Sequence, residues 1–100
     1  MHYLLIYELA PDYLARRPEF RAEHLTLAWK HVERGEMLLA GAVGDPVESG
    51  LLLFRCDSPD LPAAFARSDP YVKNGLVRHW KVQPWNTVVG NEAANPVRPV

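Results

Sequence analysis

Apolar side chains follow two rhythms along this chain, one fitting strands and one fitting helices. From His2 to Glu8 a run of aromatic and aliphatic residues stops at Ala10-Pro11-Asp12, which is turn chemistry, so a first strand is predicted there. Pro18 suits a first helical turn, and Leu25, Ala28, Trp29 and Val32 follow at helical spacing until Gly35, predicting a helix of about 15 residues. Met37 to Ala40, closed by Gly41, and Leu51 to Cys56 read as two strands joined through Gly44-Asp45-Pro46 and Ser49-Gly50. Ser58-Pro59 has the form of an N-cap followed by proline, and Leu61, Ala64 and Phe65 make one face of a second helix of about 9 residues. That helix ends near Asp69-Pro70, and Leu76 to Trp85 returns to a strand rich in Val and Trp.

The predicted order is β-α-β-β-α-β, an α+β chain of ferredoxin-like layout with two helices on one face of an antiparallel sheet. One domain, residues 1–90, is followed by a tail, residues 91–100, whose prolines and few anchors suggest that it is loosely held or lies across a partner. Along the first strand Leu4 and Ile6 point one way and Tyr3, Leu5 and Tyr7 the other, while Leu51-Leu52-Leu53-Phe54 is apolar on both sides. Both sheet faces therefore call for burial, and the helix-free one is expected to meet the same face of an identical chain.

Composition narrows the partners. A formal charge of −1, from 11 Lys and Arg against 12 Asp and Glu scattered along the sequence, leaves no basic stripe, so nucleic acid is not an expected partner. The single cysteine, Cys56, excludes an intrachain disulfide and a cysteine-based zinc site, and it suits a reducing, cytoplasmic setting. The apolar run at the N-terminus is too short, and too soon interrupted by Glu8, for a signal or membrane segment. His24 and His31 are seven residues apart, a weak ligand spacing, so no metal site is expected. Trp29, Trp80 and Trp85 read as core or interface residues.

The candidate chemistry sits in two short motifs. Arg21, His24 and Leu25 form Arg-x-x-His-Leu on the first helix, and Ser68-Asp69-Pro70-Tyr71 with Gly75 closes the second. A carboxylate on one imidazole nitrogen fixes the tautomer and makes the other nitrogen a better proton acceptor, so His24 and Asp69 would together make a general base. Each residue also has a plainer reading. His24 could cap helix packing, Arg21 could join a surface ion pair, and Asp69 could serve the turn before Pro70. Asp69 at the C-terminal end of a helix faces an unfavourable macrodipole, which a nearby cation would relieve.

Those motifs resemble the YCII-related (YciI-like) domain family, and the resemblance runs from Met1 to about Gly90. It implies the dimeric α+β barrel, with His24 and Asp69 as the catalytic pair, since these two match the family's histidine and aspartate, and Arg21, Leu25, Pro70, Tyr71 and Gly75 match the flanks. One member type is a dehydrochlorinase of a chlorinated hydroxyhydroquinone, and most members have no assigned reaction. This chain has Gly41-Ala42 where the family typically has glycine-proline. The expected function is a cofactor-independent lyase or isomerase acting on a small cyclic or aromatic molecule, with Arg21, Tyr71 and Ser68 binding its polar substituents. The alternative is a non-catalytic small-ligand or protein-interaction module in which the pair only holds two helices together.

Overall fold

The computed structural model describes all 100 residues. Its elements are β1 (His2–Leu9), α1 (Tyr13–Glu33), β2 (Met37–Val43), β3 (Ser49–Arg55), α2 (Asp60–Ser68), α3 (Pro70–Lys73) and β4 (Val77–Trp85). The strands form one antiparallel sheet in the order β2-β3-β1-β4, the ferredoxin-like arrangement read from the sequence, with α3 as an added turn of helix.

Register separates the two faces. Tyr3, Leu5 and Tyr7 stand opposite Phe54, Leu52 and Gly50. With Ala28 of α1, Phe65 and Ala66 of α2 and Tyr71 of α3 they form the buried core. Phe54 and Phe65 meet edge to face, centroids 5.5 Å apart, and burying each such side chain stabilises the fold by about 1.5–3 kcal/mol. On the other face Leu4 pairs with Leu53 and Ile6 with Leu51, and Leu39 lies beside Leu53. No helix covers these residues; Leu39 is 72% exposed and Leu51 36%.

The structure revises four expectations. First, α1 is 21 residues long and starts at Tyr13, so Pro18 lies inside it and not in its first turn. The proline removes one hydrogen bond on an exposed side, and the helix continues because Tyr13 is buried in the core at its start. Second, β2 does not close at Gly41 but pairs with β3 as far as Val43. Third, Leu25 and Trp29, which follow at helical spacing on α1, are 41% and 61% exposed, so of the core and interface readings of Trp29 the core one does not hold. Fourth, the tail is tied down: Thr87 Oγ1 lies 2.6 Å from His2 Nδ1 and accepts from the Ala94 N–H, while Asn95 and Val97 donate backbone bonds to Thr87 and Val88. Gly35 does end α1 as read, at φ +76, with Gly35 and Glu36 donating to the carbonyls of Val32 and His31.

Candidate active site

On α1, Tyr13, Arg17, Arg21, His24 and Ala28 recur at three- and four-residue intervals, and this stripe lines one wall of a cavity of about 360 Å³. The floor is the helix-facing side of the sheet, where Ala40 and Ala42 pair with Leu52 and Gly50. Small side chains on β2 leave the space open, and the volume falls within the range of small-molecule sites, about 300–1,000 Å³. Gly41 and Ala42 form part of this rim.

Asp69 reaches the site through backbone chemistry. A residue before proline is pushed out of the helical region, and Asp69 sits at φ −71, ψ 123, ending α2 and starting α3. It is thus the C-terminal cap of one helix and the N-cap of the next, so the macrodipole argument from the sequence holds for α2 alone. Its carboxylate is fully buried and accepts three hydrogen bonds: from Tyr7 Oη at 2.7 Å, from the Tyr71 N–H at 3.0 Å and from His24 Nδ1 at 2.8 Å. The plain turn reading and the imidazole-partner reading are both realised in the one side chain. Gly75, at φ +79, lets the chain turn back after α3, with Leu76 donating to Tyr71 and Gly75 to Val72.

His24 is held on two sides. In the neutral ring, the hydrogen bond to a carboxylate, which only accepts, assigns the proton to Nδ1 and leaves a lone pair on Nε2. Nε2 has no partner in the protein, and His24 lines the cavity. The ring also stacks on Tyr71, centroids 3.9 Å apart and planes within 9°, which fixes its plane against the cavity wall. Tyr71 is braced edge-on by Tyr13 at 5.6 Å.

Two phenols are kept protonated here. Burial, then the charge of Asp69 and the hydrogen bond to it, push Tyr7 far above the ordinary tyrosine value, so it stays a donor. Burial, then neighbouring Tyr13, push Tyr71 up to about 12, against the opposing pull of Arg21 and Arg17. Groups whose folded pKa is raised stabilise the fold fully below their unfolded value and lose that contribution as pH climbs through the folded one. Unfolding stability should therefore fall from about pH 10 towards pH 12, as the unfolded chain ionises first. Urea unfolding followed across this range checks it, and an unchanged midpoint up to pH 12 would contradict it.

Of the residues singled out in the sequence, His24, Arg21 and Tyr71 line the cavity and Asp69 stands directly behind His24. Ser68 does not belong with them: it is exposed at the last position of α2 and forms no part of the cavity wall. Tyr7, Tyr13 and Arg17 were missed. Strand alternation put Tyr7 on the face of Leu5, where a buried hydroxyl needs a partner, and Arg17 stands seven residues before His24, on the same face of α1. No group of three or more His, Cys, Asp or Glu side chains is placed to hold a metal. His31 instead bonds Glu36 at 3.0 Å.

Residues 1–86 match the family model of the YCII-related domain. Among solved structures, the chain is similar to 5-chloro-2-hydroxyhydroquinone dehydrochlorinase from Burkholderia phenoliruptrix in complex with 2,5-dihydroxybenzoquinone. The TM-score is 0.72 at 22% identity, covering 87% of this chain and 95% of that one, a likeness that establishes a shared fold. No curated protein matches the sequence.

Proposed function

Because the chain belongs to the YCII-related domain family, we propose that it is a small enzyme of the lyase or isomerase kind, with His24 as the general base. The observation that carries this reading is the asymmetry of the imidazole: Nδ1 is fixed by buried Asp69, while Nε2 is unpaired in a histidine that lines a cavity. A residue that only joined two helices would have both nitrogens bonded within the protein. Asp69 acts as a positioning residue, holding the tautomer and balancing the charge that His24 gains. The chemistry is proton transfer, which His24 and Asp69 supply between them.

The substrate is a small ring. The walls are mostly apolar, with Leu25, Ala28, Val32 and Leu52 around a few polar groups, and the volume suits one ring with its substituents. The related dehydrochlorinase is named for a hydroxylated, chlorinated ring, and elimination of that type begins with a base removing a proton as the leaving group departs. The test is turnover of a hydroxylated ring by wild type and His24→Asn, where equal rates would remove the general base.

The working unit is proposed to be a homodimer, the dimeric α+β barrel, in a reducing compartment such as the cytoplasm. Leu4, Ile6, Leu51, Leu53 and Leu39 make an apolar sheet face that no helix covers, and an identical face would bury it. Sedimentation velocity at micromolar concentration should give twice the 11.3 kDa chain mass, and Leu53→Lys should shift the protein towards monomer. A stable wild-type monomer would contradict this. No helix is long and apolar enough to cross a membrane.

A further inference from the structure

Resting on the proposed reading of the cavity, we propose that Arg17 and Arg21 form an anion clamp that selects a planar ring carrying an ionised oxygen, such as a phenolate, enolate or carboxylate, over the neutral ring. Arg17 and Arg21 sit four residues apart on the stripe of α1 that lines the cavity. Like charges at that spacing weaken a helix, so the arrangement costs stability that a neighbouring acid would restore. No acid does so. Neither guanidinium has a carboxylate within ion-pair distance, although Arg16 beside them reaches Asp12 at 3.9 Å. The cavity wall contains no aspartate or glutamate, and its only cation-forming side chains are Arg17, Arg21 and His24.

Arg17 is also constrained, whereas Arg21 is exposed at the cavity rim. Arg17 lies over the Tyr13 ring, 5.7 Å from its centroid, and that ring meets Tyr71, on which His24 stacks. The guanidinium is thus held in line with the imidazole along one wall. A planar guanidinium presents paired N–H donors that match a carboxylate or an ionised ring oxygen, and it remains charged at every working pH. Against the apolar remainder of the wall, this combination takes an amphiphilic ligand: a flat ring for the leucine and valine side, and a negative oxygen for the arginines.

Titration calorimetry with two ring probes tests the clamp: 2,5-dihydroxybenzoquinone, ionised at neutral pH, and hydroquinone, which is neutral. Wild type should bind the ionised quinone at least about tenfold more tightly, and Arg17→Gln or Arg21→Gln should each weaken that binding by about tenfold, without changing hydroquinone binding. Arg17→Lys, which keeps the charge without the fork, should fall between. Melting curves of each variant confirm that it is folded. Equal wild-type affinity for the two probes, or arginine variants that bind the quinone like wild type, would overturn the clamp and leave the general base standing. Binding of neither probe would overturn both.

Discussion

Asp69→Ala is expected to be the most damaging single substitution in this chain, lowering stability by about 3–5 kcal/mol, the range for removing one partner from a buried charged network. The side chain is fully buried and receives the Tyr7 hydroxyl, the Tyr71 N–H and His24 Nδ1. Alanine leaves all three donors unsatisfied, at about 1–3 kcal/mol for each that water cannot reach. It also removes the N-cap of α3, which aligns Tyr71 under the imidazole. At roughly 4–8 °C per kcal/mol for a domain of this size, the melting temperature should drop by well over 10 °C. Asp69→Asn keeps the shape but turns an amide N–H towards a donor, so an intermediate loss is expected. Thermal and urea melts check both, and a loss below 1 kcal/mol for Asp69→Ala would mean that the three hydrogen bonds contribute little to the fold.

His24→Asn should show the opposite profile, with a small change in stability and a large one in turnover. The His24 side chain is 12% exposed at a cavity wall, and an asparagine amide can still donate to Asp69, so about 1 kcal/mol or less is expected from the melt. What asparagine lacks is the basic lone pair that Nε2 supplies, and loss of a positioned general base lowers rates by roughly 10²–10⁴-fold. His24→Ala should reduce activity equally, with a somewhat larger stability cost. A structural pair would invert this: stability would fall by about 1–3 kcal/mol as Asp69 lost a partner, and activity per folded molecule would be unchanged.

The fold was legible because it rests on local signals that agree with one another. Alternation in β1, the Schellman glycine at Gly35 and the proline after Asp69 each act within a few residues of where they stand. The contact between His24 and Asp69 was legible only through the inferred topology and the family resemblance, because two motifs 45 residues apart carry no distance information of their own. Other features lay beyond such reasoning. Leu25 and Trp29 border a cavity that is also lined by the small residues Ala40, Ala42 and Gly50, positions far from them in sequence. Ser68 was misread for a local reason. It adjoins Asp69 in sequence, but the extended backbone before Pro70 buries Asp69 and leaves Ser68 in solvent. The start of α1 was placed late because Pro18 is a strong helix-start signal, while Tyr13 contributes through packing with Tyr71, a contact between distant positions.

Whether His24 moves protons is tested most directly by exchange of the ring hydrogens of an anaerobic hydroxyhydroquinone solution in D2O, followed by NMR with wild-type protein and with folded His24→Asn. Wild type should accelerate exchange well above the buffer rate, Ser68→Ala should match wild type, and His24→Asn should lose roughly 10²-fold or more of the acceleration. Exchange by folded His24→Asn at the wild-type rate would contradict the general-base role.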